Sequence, residues 1–480
     1  MTQGMASEPR SQHVHLIGIC GTAMASLAGM LKQLGMHVTG SDAAAYPPMS
    51  DFLKSLAIPV AQPFSEKNLM PCPDLVVVGN AISRGNPELE YVLDERIAMR
   101  SLPQMVQEHF LRTRDSIVVA GTHGKTTVTS MLAWIFEVAG RDPSFLIGGI
   151  AENFNSSFAV KSGKHFIIEG DEYDTAFFDK GPKFLHYLPA SLLLTHVEFD
   201  HADIYKDLEA VKTAFKRLVN LVPGGGVIVA YDGSEDVREC VSKAFCRVES
   251  YGLSETADWR AVDLKFEPQK TTWRVLRNRN RWADFEFPLA GAFNVLNATG
   301  AAAIAANYGI GPQAIAEALR NFKSVKRRLE VKAEANGVTI IDDFAHHPTA
   351  IAATLEAVRT RYPGRRLWAV FEPRSNTLRR KVFEGDLIAS LSSADQIVVA
   401  GVFRPEAVPE PERLEPNAIV EGLRKKGKKA RQLKDADAIV AEIAPELKPA
   451  DVVVILSNGG FGAIYEKLPQ QINAAAGVSA

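Results

Sequence analysis

Gly121-Thr122-His123-Gly124-Lys125-Thr126-Thr127 is the stretch of this chain best suited to chemistry. It joins an apolar β-type run, 116–120, to a helical pattern that stops at Gly140. Glycines in such a turn let backbone N–H groups face phosphate oxygens, and the helix N-terminus adds favourable potential. Lys125 can reach β- and γ-phosphates, and the Thr126 hydroxyl can ligate magnesium. The first glycine stands two residues closer than in GxxxxGK[ST], a departure from the usual spacing. The bland alternative is a glycine turn beside a surface lysine; the order strand, glycines, Lys-Thr, helix weighs against it.

Other polar residues fall at the ends of apolar runs. Glu169 in EGDEYD and His201 in EFDHADIY follow the glycine loop in order. Magnesium prefers oxygen ligands, so Glu169 suits it, whereas His201 is a less usual ligand. Gly18-Ile19-Cys20-Gly21, with Asp42 after the next strand, is a partial dinucleotide fingerprint lacking its third glycine. It reads either as a diphosphate site or as a tight turn. Asn294 and Asn297 share a helix face at i,i+3 and could pair with an adenine edge; Asn294 could equally cap the helix. Arg327 and Arg328 could bring charge to a triphosphate or form a solvated basic linker. Asp343 and His346 in IIDDFAHHP, Arg374, Asn376 and Arg379 in FEPRSNTLRR, and Asn458 in SNGG end further strands. Arginine suits bidentate carboxylate recognition.

These positions need elements to hold them. Short Val/Ile/Leu runs alternate with helical stretches: 13–19, 75–80, 166–174, 192–201, 338–348, 367–373, 396–402 and 452–460. Continuous apolar runs are strands buried on both faces, and alternation with helices predicts parallel, doubly wound α/β sheets. Ligands in such sheets sit beyond the strands' carboxyl ends, where every residue above falls. The charged, aromatic stretch 255–290 reads as a small antiparallel excursion. At about 150 residues per domain, 480 residues imply roughly three domains. Boundaries near 112–115 and 322–326 give domains 1–112, 113–325 and 326–480.

Composition narrows the classes. Lys+Arg 54 against Asp+Glu 56, a net charge of −2, argues against a nucleic-acid binder or a polybasic membrane-surface protein. Four cysteines without CxxC spacing fit a reducing compartment and no structural zinc. No apolar run reaches the roughly 18 residues that cross a bilayer. Residues 1–12 are polar, without a signal peptide's apolar core, and read as a frayed tail on a cytoplasmic protein.

The whole set resembles the Mur ligase family of ATP-dependent amide-forming enzymes. GTHGKTT is that family's P-loop form, which accounts for the shortened spacing. HLIGICGTAM, GSDAAAYPPMS, VVGNAISRGNPELEYVL, DEYDTAFFDK, EFDHADIY and DDFAHHPTA carry the likeness across residues 13–470. The resemblance implies a Rossmann-like N-terminal UDP-sugar domain, a central P-loop ATPase domain and a Rossmann-like C-terminal peptide domain. It implies ATP and Mg2+ as cofactors. Gly121, Thr122, His123, Gly124, Lys125, Thr126, Thr127, Asn294, Asn297, Arg328 and Asp343 would bind ATP. Thr126, Glu169 and His201 would serve the metal, with Lys125, Glu169 and His201 catalytic. Gly18, Cys20, Gly21, Thr22, Ser41, Asp42, Asn80 and Ser83 would bind the UDP-sugar, and His346, Arg374, Asn376, Arg379 and Asn458 the peptide.

Within the family, the likeness points to coupling of UDP-N-acetylmuramate to the murein tripeptide L-alanyl-γ-D-glutamyl-meso-diaminopimelate, in peptidoglycan recycling. Members that use free L-alanine usually carry GxGGxGM where this chain has GICGTAM. An L-alanine or folate-type ligase, and a switch that hydrolyses ATP without ligation, remain as alternatives. Some relatives carry a carbamoylated lysine; Lys216 lies near that region, and reads better as a surface lysine. Neither nucleic acid nor membrane is expected as a partner, and oligomeric state is left open.

Overall fold

Three sheets of buried Val, Ile and Leu runs organise the chain, in a computed structural model that describes residues 11–45 and 49–475. Residues 1–10 of the polar tail and 46–48 of the GSDAAAYPPMS stretch lie outside the described residues. The chain divides into two compact units. The first comprises the chain to His196, Lys212–Glu249 and Ile304–Ile310; the second comprises Val197–Val211, Ser250–Ala303 and the chain from Gly311.

In the first unit, the N-terminal sheet orders its strands Val60–Ala61, His37–Ser41, His13–Ile17, Leu75–Val78 and Met99–Ser101, all parallel. Helix Thr22–Gln33 crosses between the first two strands in sequence and buries Met24, Leu27, Met30 and Leu31. A 3-2-1-4-5 order puts a crevice beyond the ends of the first and fourth strands, where the winding reverses. A second group of parallel strands in this unit runs Val227–Tyr231, Pro189–Leu194, Asp115–Ala120, His165–Gly170 and Ser144–Ala151, with Ser156–Ala159 antiparallel at the edge. The strand expected over 192–201 ends at Leu194. Beyond it Thr195 turns its hydroxyl onto the carbonyl of His123 at 2.6 Å, and the chain leaves the sheet.

The second unit holds the expected antiparallel excursion, strands Trp259–Phe266, Thr271–Arg277 and Asn280–Phe287. It also holds a six-stranded sheet. Its order is Glu330–Ala335, Val338–Asp343, Val452–Leu456, Leu367–Phe371, Gln396–Ala400 and Lys429–Leu433, with only the first strand antiparallel. Side chains alternate faces along a strand, so this sheet has two cores. Leu367, Ala369 and Phe371 pack to one side, and Trp368 and Val370 to the other. With both faces covered, only the strand ends remain for ligands. Among the described residues, no helix is long and apolar enough to cross a membrane.

Candidate active site

The P-loop joins strand Asp115–Ala120 to helix Lys125–Val138. Gly121 (φ +133°) and Gly124 (φ +80°) hold backbone angles that side chains disfavour, which is why glycine stands at each. The loop is pinned from the neighbouring strand: Thr122 N–H donates to the His196 carbonyl at 2.7 Å, and the Thr195 hydroxyl to the His123 carbonyl. Thr127 is buried on the first turn of the helix.

Lys125 folds back over the loop. Its ammonium lies 2.8 Å from the Gly121 carbonyl and 2.9 and 2.8 Å from the two oxygens of buried Glu172. Burial works against its charge, but Glu172, then Asp171 and Glu169, outweigh burial and raise its pKa. Beside it, the Thr126 hydroxyl donates to Glu169 Oε1 at 2.9 Å, and Gly148 N–H to Oε2 at 2.7 Å. A Cβ on Gly148 would stand 2.8 Å from that carboxylate, so a side chain there would push the Glu169 carboxylate from its present place. Burial pushes the Glu169 carboxyl up despite the Lys125 charge. A desolvated carboxylate beside a threonine hydroxyl is an oxygen donor set of the kind a hard divalent cation takes, so Mg2+ fits the residues present.

His201, the third metal candidate, belongs to the second unit. It lies in the irregular segment after Leu194 and has a left-handed backbone (φ +53°). Asp200 Oδ1 accepts its N–H at 2.7 Å. Burial works to raise the Asp200 carboxyl, but its interactions with His201 and His346 and the Thr377 hydrogen bond outweigh it and hold the pKa low.

Asn294, Asn297, Arg328 and Asp343 also lie in the second unit. Asn294 and Asn297 are buried on helix Ala292–Asn307, and the Asn294 amide donates to the Ala290 carbonyl at 2.8 Å. Asn294 stands inside the first helical turn and donates to a carbonyl rather than accepting a helix N–H, so the capping alternative does not describe it. Asp343 accepts from the Leu329 and Ala345 amides and the Thr354 hydroxyl, so it organises the strand end. The Arg328 guanidinium lies over the Phe344 ring at 5.1 Å.

At the N-terminal turn, the Ser41 carbonyl accepts the N–H groups of Gly18 (2.9 Å) and Ile19 (3.0 Å). Asp42 accepts the Cys20 N–H at 2.9 Å, and Gly21 caps the helix that begins at Thr22. These six sequence-selected residues form one turn. Burial, with Asp42 next, pushes the Cys20 thiol up to about 11, so it is no nucleophile here. Asn80 and Ser83 follow the adjacent strand Leu75–Val78, and the Asn80 amide reaches the Asp174 carbonyl at 3.5 Å. Behind the turn sits buried Glu88, not singled out from sequence. It accepts from the Ser41 hydroxyl, the Asn68 amide (2.6 Å) and the Ser65 N–H (3.1 Å).

Among the peptide candidates, the Arg374 guanidinium stacks on Phe403, 3.7 Å from the ring centroid, and lies 3.5 Å from Glu372. The Asn376 amide donates to Asp203 at 2.7 Å and its oxygen accepts from Arg379. His346 sits 2.9 Å from the Phe344 carbonyl, and burial lowers its pKa. The amide oxygen of Asn458 is buried with no hydrogen-bond partner among the described residues. Lys216 lies 2.6 Å from Glu239 at the protein surface, as expected of a surface lysine. Sequence reasoning missed Glu172, Gly148, Thr195, Glu88 and Phe403. Of these only Glu172 had a signal, its place in EGDEYD.

Three family models match in succession: "Mur ligase family, catalytic domain" over residues 13–114, "Mur ligase middle domain" over 119–305, and "Mur ligase, glutamate ligase domain" over 327–459. The chain belongs to the Mur ligase family and has its three-domain α/β architecture. The UDP-N-acetylmuramate–L-alanyl-γ-D-glutamyl-meso-2,6-diaminoheptandioate ligase of Escherichia coli is 41% identical over 95% of this chain and 97% of its own. The Haemophilus influenzae enzyme of the same name is 39% identical over 95% and 98%. A solved murein peptide ligase from Psychrobacter arcticus superposes with a TM-score of 0.72 at 35% identity, covering 96% of this chain and 99% of that one.

Proposed function

We propose that this chain is an ATP-dependent ligase that joins UDP-N-acetylmuramate to L-alanyl-γ-D-glutamyl-meso-diaminopimelate, recycling murein tripeptide in the cytoplasm. The observation that carries the ATP-dependent part is Lys125, half-buried on the P-loop and kept charged by Glu172 beside the Thr126–Glu169 pair. The acceptor rests on likeness to relatives named for that tripeptide. The domains would run 1–112, 113–325 and 326–480.

A free carboxylate does not react with an amine. The lactyl carboxylate oxygen takes the γ-phosphoryl group of ATP, giving an acyl phosphate and ADP. The peptide amine then attacks the carbonyl carbon, loses a proton, and the C–O bond to phosphate breaks. Two anions must meet in the first step, so positive charge held in a water-poor site lowers the barrier. Lys125 supplies such charge from the protein, and the loop N–H groups orient the phosphates. Thr126 and Glu169 would hold magnesium, which supplies further screening of the phosphate oxygens when bound; His201 is proposed as a metal ligand in its own unit. The N-terminal turn would seat the UDP diphosphate at the helix start. Arg374 and Asn458 would take the peptide's carboxylate and amine.

ADP release measured with UDP-N-acetylmuramate, with and without tripeptide, tests this reading. Release should require the acceptor. Equal release without it would describe a nucleotide hydrolase and contradict ligation.

A further inference from the structure

His201 occupies a segment without regular structure, and its left-handed backbone is one a non-glycine residue rarely adopts. Something outside the segment must hold it. The second unit supplies three tethers. The His347 imidazole lies 3.3 Å from the Phe199 carbonyl and 3.4 Å from Glu198, and the Thr349 hydroxyl donates to Glu198 at 2.8 Å. The Asn376 amide holds Asp203. Between these, and closest to His201, stands Thr377, 1% exposed in the turn after strand Leu367–Phe371.

Thr377 uses its hydroxyl in both senses. It donates to Asp200 Oδ1 at 2.7 Å and accepts the Ala202 N–H at 3.2 Å. Asp200 Oδ1 also accepts the His201 N–H. One buried hydroxyl thus grips both neighbours of His201 and the carboxylate that anchors its backbone. On the far side, the His201 carbonyl accepts the Ile204 and Tyr205 N–H groups at 2.9 and 3.0 Å.

We infer that Thr377 is a positioning residue for the metal site, fixing the backbone from which His201 presents its imidazole. This rests on the reading of His201 as a metal ligand. Thr377 stands beside Asn376 and three residues after Arg374, so the strand end proposed to hold peptide also orders the metal-bearing segment. Groups that orient a ligand typically change metal affinity ten- to a hundredfold when lost.

The test compares wild type, Thr377→Val, Thr377→Ser and His201→Ala in two readouts: the magnesium concentration for half-maximal ligation, and the magnesium dissociation constant by calorimetry with a non-hydrolysable ATP analogue bound and no acceptor present. Valine keeps the shape and removes the hydroxyl; serine keeps the hydroxyl. The valine variant should need about ten- to a hundredfold more magnesium and recover turnover when magnesium saturates, while serine restores the requirement to within about threefold. Should the valine variant not fold, Thr377→Ala replaces it. A normal requirement in the hydroxyl-free variant, with a raised one in His201→Ala, would overturn the role of Thr377 alone. A normal requirement in His201→Ala would remove the metal reading, and the positioning role with it.

Discussion

Two turns in the first unit share one plan, a parallel strand, a glycine-bearing turn and a helix, yet they are equipped differently. At 121–127 the helix opens on a lysine, and carboxylates from the next strand close over it. At 18–22 the helix opens on Thr22, and the turn is braced from behind by the Ser41 carbonyl, Asp42 and buried Glu88. The first arrangement places mobile charge where a phosphoryl group would move. In the second the turn's own N–H groups are taken up by the Ser41 carbonyl and Asp42, and what faces a ligand is the first turn of the helix that begins at Thr22, which suits a diphosphate that only has to be held. A glycine turn before a helix is therefore not one function; the residues packed behind it decide.

The sharpest way to break this contrast is Lys125→Ala. Turnover should fall by at least about 10²–10³-fold, the loss typical when one preorganised charge-stabilising donor is removed. Steady-state kinetics on the folded variant would show it. Near-normal turnover would make the two turns equivalent and end the P-loop assignment. Glu88→Ala should act on the other side of the comparison. It leaves the buried Ser41 hydroxyl without its carboxylate acceptor, at about 1–3 kcal/mol, while the Asn68 amide keeps the Pro63 carbonyl. Denaturant unfolding should show that loss. The Michaelis constant for UDP-N-acetylmuramate should rise while that for ATP stays near wild type.

The plan of both turns was legible in the sequence, and their equipment was not. Val, Ile and Leu runs mark strands buried on both faces, so the sheets and the residues at their ends could be read directly. The P-loop was legible because glycine, lysine and threonine stand in a fixed local order. Glu172 shares EGDEYD with Glu169 and Asp171, and composition cannot tell which carboxylate turns toward Lys125. Gly148 donates its N–H to a carboxylate 21 residues away, a tertiary contact that no local pattern announces. The strand expected over 192–201 failed at Thr195, where a tertiary hydrogen bond to the P-loop ended it.

A smaller effect separates the acidic residues around Lys125. Asp171 is 2.6 Å from Lys183; burial works to raise its carboxyl, but Lys183, then Lys125, hold it at about 2 rather than 3.8. A depressed carboxylate adds stability above its ordinary pKa and loses it as pH falls through the folded value. The stability gap between wild type and Lys183→Met should be constant from neutral pH to about 4, then close towards pH 2. Acid unfolding curves check this; a gap unchanged at pH 2 would deny the pairing. Smallest of all, Lys216→Met should change stability by under about 1 kcal/mol and leave turnover intact, as for an exposed ion pair. A large loss of activity there would give Lys216 a role in the site.

The central claim is the acceptor, and a competition assay tests it most directly. The enzyme would receive ATP, magnesium and UDP-N-acetylmuramate with L-alanine and L-alanyl-γ-D-glutamyl-meso-diaminopimelate at equal concentration, and the product would be weighed by mass spectrometry. The account predicts a product heavier than UDP-N-acetylmuramate by the tripeptide less one water, with ADP formed one for one. In the same mixture Arg374→Ala should lose about ten- to a hundredfold in tripeptide coupling, the cost of one charge-assisted contact, with its Michaelis constant for ATP unchanged. A wild-type product carrying mainly alanine would contradict the account and make the chain an L-alanine ligase.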